Sequence, residues 1–281
     1  MTLSKSRSII SVLLTVVLAF SMTVLSFVFL VRGTFGNSAF IDRVMVSDEL
    51  VGECENQLNM KFDALAAKSS IPSRVFKNIE TENPIEDAVR HSVLMIYSNE
   101  NSKAFFENKK DYFYNMCLEY LNGNNIKFKE DDVERTAREA AEIYTQTCTL
   151  QSSDYLRVIV NVIKDNSPGL ALIAFVACLV CVVLMFVLYS GKNNSFGYVG
   201  AGISACGIAL VFTALISLVS GFGKGVLISP QAYYEAFCSV LNLFFVFMIL
   251  LGLLEAAVGT IVLLNVEAVK KRKSNRRSFK I

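Results

Sequence analysis

The chain has a single histidine, His91, among its 281 residues. One imidazole excludes HExxH proteases, His-rich metal centres and most metal-transport sites, while a metal site of carboxylates or thiolates stays formally open. A lone His on a helix is expected to be structural or exposed. Aspartate is missing from every long apolar run, which excludes the aspartate pair of an intramembrane aspartyl protease. No P-loop, Rossmann glycine pattern or G-x-S-x-G elbow occurs, and no carboxylates are spaced as in a calcium loop. Prolines number only four, and no internal repeat or low-complexity linker is visible. No catalytic residue, cofactor site or metal ligand set can therefore be named, and the chain is expected not to be an enzyme.

What dominates the sequence is long apolar runs, at Ile9–Val31, Gly169–Ser190, Val199–Ser220 and Leu241–Leu264. Each has about 20 residues or more, enough at about 1.5 Å per residue to cross a hydrocarbon core about 30 Å thick. Backbone amides cannot stay unpaired in lipid, so these segments should be α-helices. The expected fold class is all-α. Four transmembrane helices (9–32, 169–190, 199–220 and 241–264) carry a helical extracytoplasmic domain, 33–168, inserted between the first and second. Short segments complete the chain: a tail at 1–8, a cytoplasmic loop at 191–198, an outer loop at 221–240 and a basic tail at 265–281.

The net charge of +2 hides a split. Residues 33–168 hold 15 Lys/Arg against 22 Asp/Glu, whereas the rest holds 12 against 3. Positive charge at membrane ends is a topology signal, not a nucleic-acid signal, because basic flanks stay in the cytoplasm. Lys5 and Arg7 precede the first run, and Lys270, Lys271, Arg272, Lys273, Arg276, Arg277 and Lys280 follow the last. Lys192 agrees, and Arg32 and Lys224 are outnumbered. Both termini are expected to be cytoplasmic in a multi-pass cell-membrane protein, with 33–168 outside. The first run is too long for a signal-peptide core and lacks a small-x-small cleavage site, so it reads as an uncleaved anchor. The basic tail could also bind anionic headgroups, although orientation is its main expected effect.

Within 33–168, apolar residues recur at helical spacing. Leu50, Cys54, Leu58, Phe62 and Leu65 define one face over 47–68. After Ile71-Pro72-Ser73 a short helix, capped by Ser70 or Ser73, should run to Lys77. Asn83-Pro84 should start another, bearing Ile85, Ala88, Val89, Ser92, Val93 and Ile96. A third, over about 103–121, turns Phe105, Phe106, Phe113, Met116, Cys117 and Tyr120 inward and stops at Asn122-Gly123-Asn124-Asn125. Glu130-Asp131-Asp132 opens the next at its positive dipole end, with Val133, Ala137, Ala140, Ala141, Tyr144 and Cys148 as its buried stripe. A last helix, with Leu156, Ile159, Val160 and Ile163 apolar, is expected to end near Asp165, Ser167-Pro168 then leading into the second span.

Glu255 is the acid set deep in a run, between Leu254 and Ala256. An ionised carboxylate there is costly, so it should be protonated, hydrogen-bonded in the bundle or open to a water-filled cavity. It is either a proton-coupled, cation-coupled or substrate site, or a polar lock with Ser204, Ser217 or Thr213. Small residues mark close approach: Gly200-x-x-x-Ser204, Gly202-x-x-x-Cys206 and Gly207 in the third span, and Gly252-x-x-x-Ala256 and Gly259 in the fourth. They suit packing of spans three and four, or a homodimer through them. Of seven cysteines, Cys54, Cys117 and Cys148 lie outside, on apolar stripes. Buried free thiols are the plain expectation, and Cys117 with Cys148 is the candidate disulfide, with Cys54 joined to either as the alternative. Cys178-x-x-Cys181 sits inside an apolar helix and is expected to pack, not to do redox chemistry.

The layout, with Ser70-Ile71-Pro72-Ser73-Arg74-Val75-Phe76 ahead of an acidic helical stretch, resembles uncharacterised four-span membrane proteins of low-GC Gram-positive bacteria. That resemblance implies no activity and no site residues. Cytoplasmic termini, a large first outer loop and Val199-Gly200-Ala201 also resemble FtsX-like permeases. The charged cytoplasmic segment that would couple to an ATPase is here only the short stretch 191–198. Two functions are therefore carried forward. One is a non-enzymatic membrane protein whose outer domain binds an extracytoplasmic protein or small ligand, as sensor or scaffold. The other is a small transporter or ABC-type permease subunit using Glu255. Besides such partners, the lipid bilayer is expected as a partner and nucleic acid is not.

Overall fold

A computed structural model describes residues 3–69, 71–77, 85–98, 102–127, 129–189, 194–226 and 228–278. Ser70, Asn83 and Pro84 fall outside these, as do the side chains of Phe105 and Phe106. Among the described residues every regular element is helical. The chain divides into two compact units. One takes the chain up to Gly36, Val162–Lys224 and everything from Leu241 on; the other takes Asn37–Asn161 and Gly225–Val240.

The first unit contains α1 (Leu3–Gly33), most of α8 (Ser153–Tyr189), α9 (Asn194–Ser220) and most of α10 (Gln231–Ser278). These four helices are long and apolar enough to cross a membrane. Their outward faces are apolar: Phe20 is 70% exposed, Val219 90% and Leu254 61%. An apolar surface of that extent suits contact with lipid. The expected helix end near Asp165 is not there. Helix α8 runs through Pro168, which costs it one donor to the Lys164 carbonyl. Lys164 is exposed, so water can satisfy that carbonyl, while the apolar side must stay helical in lipid.

Small residues set the packing of this unit. On α9, Gly200 lies against Val262 and the Gly259 carbonyl of α10, and Gly207 against the Gly252 carbonyl and Ala256. A methyl group built on Gly207 would stand 2.3 Å from the Gly252 oxygen, so the two backbones touch with no room for a side chain. Two residues further round, Gly202 faces Leu18 and the Thr15 carbonyl of α1. The spacing expected to bring helices together therefore does so within one chain, on two faces of α9. Leu18, Cys181 and Met185 form a buried cluster flanked by Cys178, so the C-x-x-C pair packs as free thiols.

The second unit adds α2 (Ser38–Met45), α3 (Asp48–Lys68), α4 (Ser73–Lys77), α5 (Ile85–Leu94), α6 (Ser102–Gly123) and α7 (Glu130–Cys148). Asn37 caps α2 by accepting from the Ala39 and Phe40 amides, and Ser47 caps α3 by accepting from Leu50 at 3.3 Å. Sequence reading passes over α2, whose eight residues bury Ile41 and Met45. The α3 stripe Leu50, Cys54, Leu58, Phe62 and Leu65 is buried, as are Val133, Ala137, Ala140, Ala141, Tyr144 and Cys148 of α7. Met116 and Tyr120 are only half-buried, and Ile159 is 39% exposed on α8.

At the centre, the Phe62, Phe76, Phe113 and Tyr144 rings meet at centroid distances of 5.7 Å (Phe62 to Phe76), 5.8 Å (Phe62 to Phe113) and 6.0 Å (Phe113 to Tyr144). The segment expected as an outer loop, 221–240, belongs largely to this core. Tyr233, in the first turn of α10, is fully buried and donates to the Cys148 carbonyl. The Gln151 amide donates to the Ser229 carbonyl at 3.1 Å. A connector thus supplies part of a core whose Phe62, Phe76, Phe113 and Tyr144 come from far earlier in the chain.

Candidate functional site

In the membrane unit Glu255 is 9% exposed, and both its carboxyl oxygens are engaged. Ser26 of α1 donates its hydroxyl to Oε1 at 2.6 Å. Cys206 of α9 donates its thiol to Oε2 at 2.9 Å. Three helices therefore converge on one acid. Neither Ser204, Ser217 nor Thr213 is its partner: Ser204 reaches the Ala256 carbonyl at 3.5 Å, and Thr213 bonds back to Ala209 at 2.8 Å within α9. Sequence reasoning misses both true partners. A thiol is a weak donor and is easily passed over, and Ser26 is one of several hydroxyls in α1 with nothing local to single it out.

Each oxygen of the carboxyl group thus has one side-chain donor. One hydroxyl and one thiol hold it between helices whose backbones already touch at Gly207 and Gly252. Further towards the basic tails, Ser11 donates to the Tyr189 hydroxyl at 3.2 Å, and Tyr189 stacks on Tyr198 with centroids 5.5 Å apart. Some polar groups of this unit thus pair helix to helix, while Thr15, Thr23, Thr213 and Thr260 bond back within their own helices.

In the other unit a cleft of about 530 Å³ opens where α3 ends and α7 begins. Lys68, Lys127, Lys129 and Arg135 line it, with Asp132 the one carboxylate among the lining residues. A second cleft, of about 410 Å³, lies between Arg74 and α6, walled by Tyr112, Asn115, Met116, Glu119 and Tyr120. Arg74 sits over the Tyr120 ring, 5.8 Å from its centroid.

Cys54, Cys117 and Cys148 are all buried as free thiols, and the candidate bridge between Cys117 and Cys148 is not formed. Cys54 donates to the Thr147 carbonyl at 3.6 Å. Burial pushes the Cys54 and Cys117 thiols up to about 12 and raises Cys148 as well, which leaves all three protonated and unreactive near neutrality. Lys109 is buried with its ammonium 5.4 Å from the Tyr144 centroid, and loss of hydration lowers its pKa. His91, the lone histidine, is exposed on α5. No cluster of three His, Cys, Asp or Glu able to hold a metal occurs among the described residues.

No protein-family model, curated protein or solved structure matches the chain.

Proposed function

We propose that this is a non-enzymatic integral membrane protein whose outer helical unit binds an extracytoplasmic partner or ligand, as sensor or scaffold. Both termini are cytoplasmic, a reading supported by the basic residues Lys5, Arg7 and the Lys270–Lys280 tail. The observation that carries the proposal is a contrast in the two units. The clefts just described lie in the outer one, whereas Glu255 is buried and accepts one hydrogen bond on each oxygen, from Ser26 and Cys206. A transported ion or solute would need that carboxyl group to meet water. Helices α8 and α10 each run unbroken from the outer unit into the membrane unit, the connection a sensor needs.

The competing reading is a small transporter or permease subunit working through Glu255. It is favoured by the placement of one acid where three helices meet. Mild crosslinking in native membranes, followed by mass spectrometry of what co-purifies, separates the two. Glu255→Gln is expected to leave the crosslinked set intact. Replacement of 40–160 and 225–240 by connectors is expected to empty it; both segments must go, because Tyr233 would otherwise lose its core. A stoichiometric ATPase or transport subunit that survives the replacement overturns the proposal. Cys206 gives a second readout: a water-soluble thiol reagent should leave it unmodified, and rapid labelling in native membranes would point to an aqueous path.

A further inference from the structure

The cleft at the junction of α3, α6 and α7 is built by a specific chain reversal. Helix α6 ends in a Schellman motif: the Ile126 amide donates to the Leu121 carbonyl at 3.0 Å and the Asn125 amide to Asn122 at 3.2 Å. Asn125 takes the left-handed conformation this needs, with φ of 52°. The motif brings Ile126 back towards Leu121, and both side chains line the cleft. The chain then presents Lys127 and Lys129 before α7 begins. Lys68 closes the opposite wall from the last turn of α3, and Arg135 comes from the second turn of α7.

This cationic lining stands out against its surroundings. The stretch 33–168 carries 22 acids against 15 bases, yet the cleft gathers four bases against one acid. The one acid, Asp132, is already paired with Arg135 at 2.9 Å. The neighbouring Glu130 accepts from the Tyr114 hydroxyl at 3.2 Å. Lys68, Lys127 and Lys129 form no ion pair among the described residues, while Lys61, Lys77 and Lys110 elsewhere in the unit each have a polar partner. Like charges held together around a concavity repel one another and raise the local concentration of anions. The floor is apolar and rigid, since Ile71, Leu121 and Val133 are core residues at 4%, 2% and 2% exposure.

We propose that this cleft binds a phosphate-bearing anion, its charged group held by Lys68, Lys127 and Lys129 and its body resting on Ile126 and the apolar floor. Three flexible ammonium groups suit the several oxygens of a phosphate better than a single carboxylate. The volume of about 530 Å³ is in the range of small-molecule sites. The inference rests on the reading of the outer unit as the working part and names its ligand chemistry. Soluble phosphate compounds and lipid headgroups share that chemistry, so the test includes both.

The experiment is calorimetric titration of the full chain in neutral phosphatidylcholine nanodiscs, with pyrophosphate in one arm and a short-chain phosphatidylglycerol below its micelle concentration in the other. Glucose serves as the uncharged control. Saturable binding that weakens with salt is expected, and it should fall about ten-fold or more in Lys127→Gln/Lys129→Gln. Lys110→Gln, which removes an exposed amine paired with Glu134, should bind as wild type does. Tighter binding of pyrophosphate assigns the site to a soluble phosphate compound, and tighter binding of the lipid assigns it to a headgroup. No binding in either arm, or equal binding by the double variant, overturns the inference. In that event the crosslinked set retained by Glu255→Gln still decides the wider reading of the outer unit, so the two can fail separately.

Discussion

The two units bury comparable lengths of helix by opposite means. The unit of Asn37–Asn161 and Gly225–Val240 fills its centre with large rings and thiols: Phe62, Phe76, Phe113, Tyr144 and Tyr233 are all at or near full burial. The membrane unit brings helices together by removing side chains, at Gly200, Gly207, Gly252 and Gly259, and then ties them with Ser26, Glu255 and Cys206. Solvent explains the difference. In water, each large apolar side chain that leaves the surface contributes about 1.5–3 kcal/mol. In lipid that driving force is absent, because the tails are as apolar as the side chains. Association there rests on close backbone contact and hydrogen bonds. The buried carboxyl group of the membrane unit is accordingly held between helices, by Ser26 and Cys206.

The strongest way to break this contrast is to open a cavity in the outer unit. Phe113→Ala removes the ring that touches Phe62, Phe76 and Tyr144, and should cost about 3–5 kcal/mol. The chain has no tryptophan, and eight of its ten tyrosines lie in the outer unit, so tyrosine fluorescence during denaturant unfolding reads that unit. Unchanged stability would mean that the rings are not the core. The opposite manipulation suits the membrane unit. Gly207→Ala adds one methyl where only backbone fits and should cost about 1–3 kcal/mol by overpacking, measured by unfolding in mixed micelles. Tolerance of the methyl group would show that α9 and α10 stand further apart.

A smaller effect sharpens the comparison at Glu255. A double-mutant cycle of Ser26→Ala and Glu255→Gln should give a coupling of about 0.6 kcal/mol, and no more than about 1.7, as for other hydrogen bonds between membrane helices. A coupling of zero would separate the two side chains. The smallest expected effect is from mild alkali on the outer unit. The folded-state pKa values of Cys54 and Cys117 are raised from 9.0 to about 12, so the folded form holds those protons more tightly than the unfolded chain. Their stabilising contribution is complete below about pH 9 and is lost as pH rises from there towards 12. The unfolding midpoint should thus show no thiol-linked change from pH 7 to 8.5 and should decline above 9. A decline beginning near pH 7 would mean that these thiols are accessible.

Much of the architecture was legible because periodicity and length are local properties. The stripes on α3 and α7 and the stop at Asn125 follow from spacing within each segment, and the four apolar runs follow from length. Helix ends were less legible. Pro168 marks a break by its own chemistry, yet α8 continues through it. At the candidate sites, sequence singled out Glu255 as the costly residue, because charge in an apolar run is conspicuous. It did not reveal Ser26 and Cys206, which are ordinary in their own segments, and it passed over Lys68, Lys127 and Lys129, which separately look like solvated surface.

By itself, then, the sequence determined that this chain is helical, that four of its helices are long and apolar enough to cross a membrane, and that one carboxyl group among them is costly to ionise there. Those outcomes depend on the free energy of apolar and charged groups in lipid and on the 3.6-residue helix repeat, both readable in single segments. The tertiary structure alone decided which residues became partners: Ser26 and Cys206 at Glu255, Tyr233 in the outer core, and three lysines around one cleft. Such pairings join positions up to 229 residues apart. No local propensity encodes them, because each is fixed only when whole helices pack and their side chains must find hydrogen bonds or space.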